Sequence, residues 1–321
     1  MIAFQKGLVA GSAALLLAGG CRAQAPDEGA PVVIRLTSGN PGAGFYPLGQ
    51  ALARGFERAL PGISLRLVES SGAVHNVEAL ERGTAELGFA FADVAYMAYT
   101  GRLQESPRRH GRLRGIAVLQ LTPLHLLVRR GSSIRSVADL RGRRVAFGPP
   151  GSGTALTSGL VVRAHGLRGE QLTVERLPFG EAGRRLAEGS LDAAFFDVSY
   201  PAESIALATR AGARLLALDG PGVERLREDY PFLRLTFIPG GTYPHHRDHT
   251  PTLGIDSLLV CRSDLDDALI YTLTKGLFQM LPTISAERIS LRDMDIDQAP
   301  ATSIPLHSGA ARYYRERELT R

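Results

Sequence analysis

Three junctions rich in Gly, Ser, Thr and Asn hold the residues best suited to chemistry: Ser38 to Tyr46, Ser70 to Asn76 and Gly148 to Thr154. Each stands just before a run with helical spacing. Such loops present free backbone N–H groups and hydroxyls to an anion. Catalytic readings fare worse. Gly148-Pro149-Pro150-Gly151-Ser152-Gly153-Thr154 has the glycines of a phosphate loop but lacks its Lys and the Ser or Thr that follows. Ser152 is not in a nucleophile elbow, because Pro150 occupies the first Gly position. The glycines between Gly39 and Gly44 have the wrong spacing for a dinucleotide fingerprint. His245-His246-Arg247-Asp248-His249 lies in a Pro- and Gly-rich stretch with no carboxylate pattern to complete a zinc set. A solvated loop is the simpler reading. No paired acid and base is legible, nor a nucleophile with its base, so a binding module is expected, with no cofactor and no metal.

The elements that must position these loops alternate strand and helix. Val32 to Leu36 is a short apolar run, and Leu48, Leu52, Phe56 and Leu60 recur at helical spacing. Ile63, Leu65 and Leu67 alternate as in a strand. Val74 to Arg82 reads as a helix capped by Gly83, and Leu87 to Ala92 as a buried strand with Asp93 as N-cap of the next helix. Ile116 to Leu119 and Leu124 to Val128 read as strands broken by Pro123. From Val145 to Leu218 the strand–helix alternation repeats. It implies a mixed, mostly parallel sheet with helices on both faces, where ligands sit beyond the carboxyl ends of strands.

Composition sets the outer limits. The 321 residues are 44% hydrophobic and 21% charged, which fits a globular chain of roughly two domains. Net charge is +5, and only Lys6 and Lys275 are lysines. The arginine clusters are short and carry no interleaved aromatics, so nucleic-acid binding is not expected. At the amino terminus Lys6 precedes an apolar stretch, Gly7 to Gly20, of about 14 residues, the length of a signal-peptide core. It ends at Leu17-Ala18-Gly19-Gly20-Cys21, similar to a bacterial lipoprotein cleavage site. Cleavage after Ala23-Gln24-Ala25 is the alternative, with Pro26 against it. The expectation is a signal peptide over 1–20, a lipidated Cys21 and a tether over 21–31. The protein would then be exported and held at the outer face of the cytoplasmic membrane. Cys261, in an apolar run, reads as a buried hydrophobe.

Five segments in order carry a resemblance to one family. Gly39-Asn40 with Gly44-Phe45-Tyr46-Pro47-Leu48-Gly49-Gln50 is the first. Ser71-Gly72-Ala73-Val74-His75-Asn76 and Asp93-Val94-Ala95-Tyr96 follow. Asp139 to Thr154 and Pro305-Leu306-His307-Ser308-Gly309-Ala310 with Tyr313-Tyr314 complete the set. Together they resemble the TAXI family of extracytoplasmic solute receptors associated with TRAP transporters. That resemblance implies a two-lobed type II periplasmic-binding-protein fold with the ligand cleft between lobes. Lobe I would comprise 32–122 and 254–321, and lobe II 123–253. It also implies a ligand of the glutamate-like dicarboxylate or 2-oxoglutarate class and a TRAP-type permease as partner. Ala73 and His75 depart from the family's Ser and Glu, which bears on ligand choice.

Resemblance and loop chemistry together select the candidate site. Asn40, Phe45 and Tyr46 come from the first loop, Ser70 and Asn76 from the second, and Asp93 from the third. Ser152, Gly153 and Thr154 suit a carboxylate, and Asp197, with Tyr200 nearby, suits an ammonium group, which would favour an amino acid. Helix capping is the competing role for Asp93 and Asp197, and packing for Phe45 and Tyr46. The expected function is capture of a small carboxylate for delivery to the permease. A ligand sensor docking on a signalling receptor is the alternative, and an enzyme on the same two-lobed fold a more distant one.

Overall fold

The computed structural model describes residues 31–39, 44–104, 106–287, 291 and 294–319, and Pro31–Arg321 forms one compact unit. The expected signal peptide, Cys21 with nearly all of the tether, and Asn40 lie outside the described residues. No helix among the described residues is long and apolar enough to cross a membrane.

The first part of the chain alternates as its periodicity predicts: β1 (Val32–Thr37), α1 (Phe45–Ala59), β2 (Ile63–Val68), α2 (Ala73–Arg82), β3 (Leu87–Phe91) and α3 (Ala92–Thr100). Leu48, Leu52 and Phe56 lie four apart on α1 and are all buried, the stripe that fixes this helix to the sheet. Gly83 closes α2 in the left-handed region, at φ 76°, as a C-cap requires. Asp93 does not cap α3. Phe91 flanks that helix, and Asp93 already lies in its first turn, where its backbone is helical and cannot serve as cap.

Two long strands follow a different rule. β4 (Leu113–Val128) runs straight through Pro123, against the expectation of two strands broken there. The reason lies in its partners. Leu113 to Pro123 pairs with β10 (Thr250–Arg262), whereas Leu124 to Val128 pairs with β7 (Ala193–Asp197). Pro123 therefore sits where the strand changes partners, so its missing N–H costs little. It stands opposite Gly254 of β10.

The remaining strands are β5 (Arg144–Ala146), β6 (Thr173–Glu175), β8 (Arg214–Leu216) and β9 (Leu233–Ile238). They alternate with α4 (Gly153–Ala164), α5 (Phe179–Glu188), α6 (Glu203–Arg210) and α7 (Pro221–Asp229). All join one mixed sheet in the order β2-β1-β3-β10-β4-β7-β5-β6, with β8 on β4 and β9 on β10. The parallel pairs are β1 with β2 and β3, and β5 with β6 and β7. Every antiparallel pair involves β4 or β10. α8 (Asp267–Glu287) packs on α1, and α9 (Ser308–Leu319) on α8. One apolar cluster runs from Ile34 to Tyr314 and takes in Val145 and Leu160, and a smaller one gathers Phe179, Leu186, Phe196 and Ile205. Cys261 is fully buried in the larger cluster, which pushes its thiol pKa well up.

Candidate functional site

Helices α2 and α4 begin beside each other, and a cleft opens where they meet. Their approach is close. The Val74 N–H donates to the Gly151 carbonyl at 3.2 Å. A Cβ on Gly72, whose φ is 135°, would lie 3.1 Å from the Ser152 Cα, so glycine is required for both conformation and space.

The α4 side supplies donors. Ser152 is the N-cap, and its Oγ accepts from the Ala155 N–H at 3.2 Å. The first-turn N–H groups of Gly153 and Thr154 have no acceptor within the helix and lie at its positive end. Ser152, Gly153 and Thr154 all line the cleft. Gly153 abuts the Phe91 ring, since a Cβ there would fall 2.3 Å from it. Phe91 in turn packs on Phe45, with centroids 4.8 Å apart, and Phe45 stacks on Phe89 at 5.4 Å. Phe45 thus lines the cleft and also packs within the protein.

The opposite side supplies acceptors. Asp197 closes β7, is 4% exposed and lines the cleft, and neither of its carboxylate oxygens has a hydrogen-bond partner among the described residues. Burial pushes its pKa well up, and the nearby Asp93 carboxylate pushes it further. Gln120 of β4 lines the same cleft. Its Nε2 donates to Ser199 Oγ at 2.8 Å, while its buried Oε1 is left without a donor. Two residues of the cleft wall, Asp197 and Gln120, therefore carry buried polar atoms without partners among the described residues, an arrangement that costs stability.

Other expected site residues lie elsewhere. Asn76 is fully buried and its amide is used inside the fold: Nδ2 donates to the Ser38 and Phe89 carbonyls, and Oδ1 accepts from Thr37 Oγ1. It shapes the loop after β1 and is not among the cleft-lining residues. Asp93 is also fully buried, where it accepts from Thr157 Oγ1 at 2.7 Å, and burial raises its pKa to about 6. Ser70 turns its Oγ to the Gly72 N–H, and the neighbouring Ser71 lines the cleft instead. Tyr46 and Tyr200 do not line it, and the side chain of His75 is exposed on α2. Of the loop 245–249, His246 pairs with Thr250 Oγ1 at 3.0 Å and His249 accepts from the Gly240 N–H at 3.2 Å. No group of three or more metal-ligating side chains gathers among the described residues.

Sequence reasoning missed Gln120, Thr122 and Ser199, all of which line the cleft. Gln120 carried a signal, as an amide inside the otherwise apolar run Ile116 to Leu121. Phe91 and Phe179 also line it, and in sequence they are indistinguishable from core.

The sequence pattern of the NMT1-like family matches residues 36–317. Among solved structures, MatC from Rhodopseudomonas palustris with bound malate aligns at 15% identity with a TM-score of 0.57, covering 90% of this chain and 98% of that one. A protein of Xanthomonas citri bound to ATP aligns at 13% identity with a TM-score of 0.54, covering 89% and 98%. The alkanesulfonate-binding protein of Xanthomonas axonopodis bound to MOPS aligns at 20% identity with a TM-score of 0.49, covering 89% and 84%. The α/β architecture is shared with MatC and with the ATP-bound protein of Xanthomonas citri.

Proposed function

The chain belongs to the NMT1-like family, and from that premise we propose that it is an extracytoplasmic receptor for a small organic acid, preferentially one that carries an ammonium group. The observation that carries this reading is the facing of donors and acceptors across one cleft. The α4 N-terminus offers N–H groups to a carboxylate, and the cleft-lining Asp197 and Gln120, whose oxygens lack partners among the described residues, suit an ammonium. The malate held by MatC, in a similar fold, supports a small carboxylate as ligand. Pro123 opposite Gly254 is where we place the crossing between two lobes, with lobe I from 32–122 and 254–321 and lobe II from 123–253.

The ligand's destination in this proposal is a membrane permease, and the TAXI-like segments favour the TRAP type. Lipidation at Cys21 would keep the receptor beside it. Cys21→Ala should release the protein from the membrane fraction or leave it uncleaved, and unchanged fractionation would remove the anchor from the proposal.

The receptor reading is tested by calorimetry on the mature protein with glutamate, 2-oxoglutarate and malate. At 100 times its Kd a true ligand also adds about 2.7 kcal/mol to stability, which a dye-reported melting curve detects. Glutamate binding tighter than 2-oxoglutarate supports the ammonium subsite. Failure of all three acids, and of a wider panel of amino and organic acids, would sink the carboxylate reading.

A further inference from the structure

α3 and α4 also line a second, larger groove. Four arginines meet on it: Arg102 just after α3, Arg163 near the end of α4, and Arg168 and Arg176 on either side of β6. One carboxylate, Glu170, lies among them. All four arginines are exposed and form none of the ion pairs found among the described residues. Elsewhere the chain pairs its arginines readily, as in Arg144 with Asp192 and Arg185 with Glu175. Between the guanidinium groups the lining is apolar, with Leu156, Val174 and Tyr230 partly exposed.

We propose that this groove docks an acidic, partly apolar segment of a partner protein. Charge complementarity carries the argument, because an excess of three positive charges lines one open groove. A small anion site is a poorer fit. Its donors would be buried, whereas these four guanidinium groups are all exposed. A chain segment that alternates carboxylates with apolar side chains satisfies both the cations and the apolar lining. The fixed forks of arginine suit carboxylates, and their stems extend the apolar surface. α3 precedes Pro123 and α4 follows it, so a docked segment would touch both parts of the chain. The proposal does not depend on what the cleft binds.

The probe is a fluorescent decapeptide of alternating Glu and Leu, followed by anisotropy at low salt with the mature protein. Saturable binding that weakens as salt rises is expected. Arg163→Glu with Arg168→Glu should weaken it at least tenfold. Arg66→Glu with Arg247→Glu makes the same charge change at other exposed positions and should alter it less than threefold. Circular dichroism confirms that both variants remain folded. Equal loss in the two variants would reduce the effect to net charge and overturn the proposal. So would displacement of the probe by micromolar pyrophosphate, which would make the groove a small-anion site. Binding to vesicles with 30% phosphatidylglycerol that is lost only in the groove variant, without peptide binding, would reassign it to lipid.

Discussion

Thr157 of α4 donates a 2.7 Å hydrogen bond to Asp93 of α3, and both side chains are fully buried. The bond ties a helix that precedes Pro123 to one that follows it. It also places a carboxylate behind the cleft, close enough to Asp197 to raise that group's pKa.

The Asp93 carboxyl is raised by burial to about 6, above an ordinary value of 3.8. Between these values the unfolded chain has lost the proton and the folded chain keeps it, so stability falls as pH rises from about 4 to about 6. The fall attributable to Asp93 is about 3 kcal/mol. Asp93→Asn removes this titration and keeps an oxygen for Thr157. Urea unfolding from pH 4 to 7 should show a shallower decline in the variant, which should be the more stable protein above pH 6. Matching pH slopes would show that Asp93 does not titrate in this range.

Asp197 should report on the ligand's charge. Burial raises its pKa, so at a pH where it holds its proton an ammonium placed against it would force it to ionise and binding would release that proton. Calorimetry in two buffers of different ionisation heat should give different apparent enthalpies for the parent. Asp197→Asn should abolish that difference and weaken binding of an amino acid at least tenfold, or about 1.4 kcal/mol. A 2-oxo acid should lose much less. Equal losses for both would place the amino group away from Asp197.

Asn76→Ala should act on stability rather than on affinity. It strands the Ser38 and Phe89 carbonyls and the Thr37 hydroxyl, all held by one buried amide. A loss of about 3 kcal/mol is expected. The affinity of the protein that remains folded should stay within threefold of the parent. A large drop in affinity with little change in melting temperature would return Asn76 to the binding site.

Gly153→Ala should be felt by Phe91. The added methyl would fall 2.3 Å from the ring, which is itself packed against Phe45. Overpacking of this kind costs about 1–3 kcal/mol. We expect a lower melting temperature together with weaker ligand binding, because the same contact forms the cleft wall. A variant that melts and binds as the parent does would mean that the ring moves aside freely.

Much of this was legible in the residues. The strand–helix order, the Gly83 cap and the Ser152 to Thr154 donors follow from local signals, namely periodicity, a missing Cβ and a short polar side chain before an apolar run. What escaped depends on partners far along the chain. Pro123 reads as a break until β10 and β7 share the strand on either side of it. Asn76 and Asp93 look like ligand residues because a polar group next to a Gly-rich loop is ambiguous. Only their partners, at Phe89 and at Thr157, decide their roles. Gln120 stands out as a single amide in an apolar strand, but that alone says nothing of the space it lines.

The placement of β10 bears on how the chain reaches its final form. That strand lies between β3 and β4 in the sheet, yet it is formed by Thr250–Arg262, long after both of them in the chain. Neither neighbour can complete its ladder until more than three quarters of the polypeptide has emerged. Joining strands so distant in sequence is slow, because a long loop must close before any pairing rewards it. During translation the amino-terminal part is thus left without its central strand. The sheet of such a chain is completed late, when its last long strand slots between two neighbours that formed far earlier in the sequence.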